Sequence, residues 1–268
     1  MLKDITLGQY FPIDSQLHRL DPRIKIIALF GYIAVIFFAK TAVDFAVIAA
    51  FTLYMILMSG IRISVIMKSL KPVAFLVIFT AVINLFLTSG GKTIVRIHNL
   101  RITTTGLNAA ATMTIRIMLL VCSTSLLTFT TSPILLTDGI EKLLTPFAKI
   151  GFPAQELAMM MTIALRFIPT LIDETDKIIM AQKSRGADFE SGNIIRRSKA
   201  LIPILVPLFI SSFRRADELA TAMECRCYRG GNNRTRLREL RFSKTDYIAG
   251  IQLIIFMTVV IVLGVIGI

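Results

Sequence analysis

Residues Ile248 to Ile268 form a run of 21 positions without one charged side chain. As a helix rising 1.5 Å per residue, such a run is about 30 Å long, the thickness of a bilayer's hydrocarbon core. Four more apolar runs precede it: Ile24 to Ala39, Ala42 to Ser59, Pro72 to about Ser89, and Gly106 to Thr130, the last carrying one charge, Arg116. A single soluble core has no room for five such stretches. Charged residues make up only 18% of the chain, against about a quarter in soluble domains. The chain therefore reads as an all-α integral membrane protein with about five transmembrane helices.

Between the fourth and fifth runs the character changes. Thr131 to Asp246 holds 18 basic and 13 acidic residues, and its apolar positions recur at helical spacing instead of forming full spans. One stripe runs through Leu157, Met160, Met161, Ala164, Ile168, Leu171, Ile172, Ile178 and Ile179, with Asp173 and Lys177 paired off it at i,i+4. A second runs through Leu201, Leu205, Leu208, Ser212, Ala216, Leu219 and Met223, with Arg214 and Glu218 on the other side. Two long amphipathic helices are expected, from Pro153 to Arg185 with a kink or break near Pro169, and from about Asn193 to Tyr228. Ser191 and Asn193 are candidate N-caps for the second. The organisation expected is a membrane domain over 1–131, an insert of long amphipathic helices over 132–246, suited to docking or to the membrane interface, and a final transmembrane helix over 247–268. Within the first, alternating residues between Gly90 and Thr105, turning at His98-Asn99, predict a β-hairpin outside the hydrocarbon.

Basic residues orient such a protein, because cytoplasmic loops carry the Lys/Arg excess. Arg19, Arg23 and Lys25, then Arg62, Lys68 and Lys71, and the basic insert all fall on one side after an even number of spans. That places the N-terminus and the insert on the cytoplasmic side of the membrane and the C-terminus outside. The net charge of +13 is then an orienting device and implies a bilayer partner, not nucleic acid.

Little in the sequence supports catalysis. Gly91-Lys92-Thr93 mimics the end of a phosphate-binding loop, but Phe86 stands where that motif needs glycine. Two histidines, His18 and His98, and three cysteines supply neither a nucleophile–base set nor four zinc ligands. No cofactor and no metal site is expected. Arg116 is the one charge deep in a span, placed there for function, for snorkelling to the outer interface, or for pairing with backbone carbonyls in a helix bundle.

The most informative residues close the two long helices. The first ends Lys183-Ser184-Arg185-Gly186 and the second Glu224-Cys225-Arg226-Cys227-Tyr228-Arg229-Gly230. Cations complement the carbonyl end of a helix, and a following glycine accepts the left-handed cap. With the opening Ile5 to Tyr10 and His18 to Lys25, and with Leu165-Arg166-Phe167-Ile168-Pro169 and Glu174, these ends resemble the T component of energy-coupling factor transporters, the shared group II type within the CbiQ-like family. The resemblance covers essentially the whole chain.

The resemblance implies a non-catalytic subunit of an ATP-driven vitamin or micronutrient importer. Ser184-Arg185-Gly186 and Cys225-Arg226-Cys227 would each dock into one of two ABC ATPase subunits. The second motif departs from Ala-Arg-Gly at both flanks, and cysteine lacks glycine's freedom at positive φ. Arg229 and Gly230 are therefore additional candidates for the turn. A Met-rich face with Met159, Met160, Met161 and Ile179 would carry a membrane-embedded substrate-binding S component, one of several interchangeable ones. Two rivals stay open: a permease that binds its own substrate, and a membrane enzyme acting on a lipid-linked phosphate.

Overall fold

A computed structural model describes residues 10–88, 90, 92–97, 100–187, 189, 193–228, 230, 240 and 242–266. In order, the helices are α1 (Gln16–Arg19), α2 (Pro22–Phe38), α3 (Ala42–Ser59), α4 (Ile63–Leu70), α5 (Ala74–Leu87), α6 (Thr104–Thr130), α7 (Pro133–Leu144), α8 (Ala154–Ser184), α9 (Ile194–Cys225) and α10 (Lys244–Ile266). Short 3-10 turns, Lys71–Val73 and Thr145–Ile150, follow α4 and α7. Strands β1 (Thr93–Ile97) and β2 (Leu100–Thr103) pair antiparallel between α5 and α6, with a bulge between Thr93 and Val95. The expected turn at His98-Asn99 lies outside the described residues. The chain divides into two compact units: one built from Gly8–Ile140 and Glu239–Ile268, the other centred on Glu141–Arg238.

The helices begin where local chemistry tells them to. Asp21 accepts the amide of Arg23 in front of Pro22 at the first turn of α2. Thr41 and Asp44 form a reciprocal capping box on α3, and Thr103 caps α6 through the amide of Gly106. The first unit then packs around two apolar clusters. Tyr32, Val35 and Ile36 of α2 meet Phe45 and Ile48 of α3, Leu119 of α6, and Phe256 and Val260 of α10. Phe51 stacks on Phe256 with ring centroids 4.0 Å apart. At the other end, Leu17 of α1 joins Ile56, Ile66, Leu126 and Phe129.

Among the described residues, five helical stretches are long and apolar enough to cross a membrane: Ala42–Ser59, Ile63–Leu87, Thr104–Thr130, Ala154–Ser184 and Lys244–Ile266. The count of five agrees with the sequence reading, but the membership does not. The first apolar run becomes α2, only 17 residues long, at the lower edge of spanning length. In exchange α8, expected to lack a full span, is a continuous 31-residue helix through Pro169 with an apolar stretch of spanning length. The third run also starts earlier than expected, because the stretch carrying Lys68 and Lys71 is already helical.

Arg116 has a structural partner. Its guanidinium donates to the Ala39 carbonyl at 3.1 Å and lies over the Phe37 and Phe45 rings at 5.8 and 5.7 Å. Ala39 is the C-cap of α2, so Arg116 sets a cation at the negative end of that helix.

Candidate functional site

The second unit is organised by α8 and α9 lying antiparallel. Three contacts set the register. The Tyr228 hydroxyl donates to Met159 Sδ at 3.0 Å, Arg215 donates to Glu174 at 2.6 Å, and the Gln182 amide reaches the Pro203 carbonyl at 3.5 Å. Ser211 also donates to Glu174. The face of α9 turned toward α8 therefore runs through Ile204, Leu208, Ser211, Arg215 and Leu219. Leu201 and Leu205, expected on the packed stripe, are exposed instead. The ion pair formed here joins the two helices, Glu174 to Arg215, where the sequence suggested i,i+4 pairs within each.

This register sends the two helix ends in opposite directions. Arg185 follows the last turn of α8, and Arg226 follows the last turn of α9 near the start of α8. From Met159 to Arg185 is on the order of 40 Å at 1.5 Å per residue. Both arginines are exposed.

The two ends are built alike. At the first, Gly186 N donates to the Lys183 carbonyl at 3.0 Å and Ala187 N to the Gln182 carbonyl at 3.0 Å. At the second, Cys227 N donates to Glu224 at 2.8 Å and Tyr228 N to Met223 at 3.1 Å. Each is a complete Schellman ending, with the arginine as C-cap and the next residue left-handed. That residue is Gly186 at φ +84° in one and Cys227 at φ +57° in the other. The expectation that Arg229-Gly230 supplies the second turn is corrected here: α9 closes at Cys227 although it is not a glycine. Gly230 has its own positive φ of +87°, and Arg229 lies outside the described residues, as does the candidate cap Ser191.

Met160 and Met161 stand exposed on α8 and Ile179 is half-buried. Met159 is turned differently. Its sulfur meets Tyr228, so it belongs to the helix pairing and not to the open face.

The family-like opening His18 to Lys25 builds a polar knot at one end of the first unit, which spacing alone did not reveal. Buried Lys25 donates to the His18 carbonyl at 3.2 Å, the Thr130 carbonyl at 3.1 Å and Thr131 Oγ1 at 3.1 Å. Asp246, also buried, accepts the amides of Asp21 and Ser243, each at 2.7 Å. Arg23 pairs with Asp21 at 2.7 Å, donates to the Leu240 carbonyl and covers the Phe242 ring at 4.0 Å. Burial pushes the Asp21 carboxyl up, but hydrogen bonds from the Arg23 side chain and amide outweigh it and hold it below the usual carboxylate range. Thr130–Thr131 ends α6 and Leu240–Asp246 leads into α10, so one short segment ties the ends of three helices of the first unit.

Among the described residues no cluster of His, Cys, Asp or Glu is arranged to hold a metal ion. The architecture is that of a multi-pass membrane subunit carrying a paired-helix unit whose two ends repeat one motif. The model of the CbiQ family, described as cobalt transport protein, matches residues 14–237. Over 252 residues the chain is 58% identical to the energy-coupling factor transporter transmembrane protein EcfT of Clostridium kluyveri, covering 94% of this chain and 93% of that one. Identity to the proteins of the same name from Ruminiclostridium cellulolyticum and Listeria innocua is 53% and 49%, over 98% and 92% of this chain and 98% and 93% of theirs. The chain belongs to the CbiQ family, with the transmembrane proteins of energy-coupling factor transporters.

Proposed function

We propose that this chain is the mechanical coupler of an energy-coupling factor importer. It joins two ABC ATPase subunits to a separate membrane-embedded S component that binds a vitamin or another micronutrient. The repeated Schellman ending carries this reading. Two identical cationic helix ends, on the order of 40 Å apart on one antiparallel pair, suit two similar docking grooves on two similar partners. Each end presents one exposed guanidinium, able to make a planar two-donor contact with a carboxylate.

ATP binding would bring the ATPase grooves together and move Ser184-Arg185-Gly186 and Cys225-Arg226-Cys227 with them. The helix pair, held at mid-length by Glu174 and Arg215, converts that motion into tilting of its apolar faces. Met160, Met161 and Ile179 on α8, with Phe209, Ile210 and Phe213 exposed on α9, offer adaptable surface to an S component. ATP hydrolysis resides in the partners, and this chain contributes no catalytic group. The N-terminus and the insert from Thr131 to Asp246 are cytoplasmic and the C-terminus is external. In that arrangement α8 does not cross the bilayer, since Arg166, Asp173, Glu174, Asp176 and Lys177 interrupt or flank its apolar stretch.

The deciding experiment is recovery of the tagged chain from native membranes. Two ATPase polypeptides and a small hydrophobic protein should co-purify, and the partner-free chain should bind no nucleotide. A chain that instead retains a substrate by itself would be a permease.

A further inference from the structure

Between the two apolar clusters of the first unit the helices part and leave a cavity of about 690 Å³, within the range of about 300–1,000 Å³ typical of ligand sites. It begins beside α1 and the N-terminus of α10, at Gln16, Arg19, Ser243 and Thr245. It ends halfway along the bundle, where the Tyr32 hydroxyl pairs with Thr52 Oγ1 at 2.5 Å and Phe51 stacks on Phe256. Its bore is mostly hydrocarbon, Ile24, Ala28, Leu29, Met55, Leu127 and Leu253, with Ser123 and Gln252 as polar interruptions. Along α10, Thr245 to Leu253 spans about 12 Å, close to the roughly 15 Å of one leaflet's acyl region.

Such a space does not stand empty in a bilayer. An unfilled apolar void forfeits the dispersion contacts of its walls, and a mostly apolar bore favours hydrocarbon over a column of water. The two cations that line the cavity both have oxygen partners. All three Lys25 protons are donated to the chain's own oxygens, and Arg19 is paired with Asp14 at 2.6 Å. The site therefore has a polar rim, a mostly apolar bore, and the depth of one monolayer.

We infer that this cavity holds one acyl chain of a membrane phospholipid, its head group at the rim formed by Gln16, Arg19, Ser243 and Thr245. Because the cations that line the cavity are paired, zwitterionic and anionic lipids are held alike. The chain end lies against Phe51 and Leu253, below the Tyr32–Thr52 pair. The inference needs only the membrane-spanning fold and is independent of the partners proposed above.

The test uses the full chain in vesicles of phosphatidylethanolamine and phosphatidylglycerol doped with a phosphatidylcholine bearing a diazirine at its acyl terminus. Photolysis and peptide mapping should label Leu29, Phe51 and Leu253 in addition to the outward-facing Phe30 and Ile255. Filling the bore with Ala28→Trp, or separately with Ala249→Trp, should cut the inner labels about tenfold and leave Phe30 and Ile255 labelled, which also reports that the variant is folded and inserted. Native mass spectrometry from mild detergent should find one retained phospholipid on the unmodified chain, of either head-group charge. Labels confined to Phe30 and Ile255, inner labels that survive both substitutions in an inserted protein, or a retained water-soluble molecule in place of a lipid would each overturn the inference.

Discussion

Gly186 and Cys227 occupy the same place in two copies of one helix ending, both left-handed, with φ of +84° and +57°. Left-handed backbone costs a residue with a Cβ about 1–2 kcal/mol. Glycine avoids that cost but loses about 0.5–1 kcal/mol more in chain entropy on folding. Cys227→Gly should therefore stabilise the end of α9 by about 0.5–1 kcal/mol. Hydrogen exchange of the Arg226 to Tyr228 amides should slow severalfold. Gly186→Ala should do the reverse at the end of α8, on conformational grounds alone, because nothing lies within 4 Å of the added Cβ. Unchanged exchange in both variants would mean that the last turns are not held by these caps.

Arg185 and Arg226 should act separately, since each closes its own helix. Truncating one partner of a buried interfacial charge pair costs about 2–5 kcal/mol, or roughly 30- to several-thousand-fold in affinity. Arg185→Ala or Arg226→Ala should weaken ATPase recovery in a pull-down by that order while membrane insertion is kept. Arg185→Lys should rescue only in part, because an ammonium lacks the planar fork. Arg229→Ala is the control and should act more mildly. Loss of assembly with Arg229→Ala but not Arg226→Ala would move the second docking arginine by one turn.

Glu174 joins α8 to α9 through Arg215 and Ser211. Removing one side of this charge-assisted set should cost about 1–3 kcal/mol. A double-mutant cycle on Glu174→Gln and Arg215→Gln should show clear coupling, and proteolysis between α8 and α9 should accelerate in each single variant. Additive effects would mean the helices are held by apolar packing alone.

Lys25 is buried with all three protons donated. Lys25→Met should lower the thermal stability of the detergent-solubilised chain, by about 1–3 kcal/mol for each carbonyl left unpaired. Arg23→Ala should expose the return of the chain at Leu240 to protease. A melting temperature unchanged by Lys25→Met would show that water replaces the ammonium at no cost.

Orientation follows from charge and can be read directly. A reporter fused after Gly231 should behave as cytoplasmic and one after Ile268 as external. The reverse pattern would deny the helix ends access to cytoplasmic ATPases.

Much of the fold was written in residue order. The uncharged run through α10, the caps at Asp21, Thr41 and Thr103, and the amphipathic spacing of α8 and α9 are local signals, each set by neighbours within a few positions. The helix-closing arginines were legible for the same reason, since a cation followed by a left-handed residue is a short-range pattern. What the sequence could not settle is which face of each long helix turns inward. Leu201 and Leu205 carry the same periodicity as Leu208 and Leu219, and only the antiparallel register of α8 and α9 separates exposed from packed. The same register sets half-buried Met159 against Tyr228 while Met160 and Met161 stay open, and it pairs Glu174 with Arg215 across helices. Lys25, Thr131 and Asp246 are far apart in sequence, so their knot exists only once α2, α6 and α10 are assembled. The Cys227 turn was decided there too. Local propensity argues against a cysteine at positive φ, but the hydrogen bonds of the ending and the Tyr228–Met159 contact hold it in place.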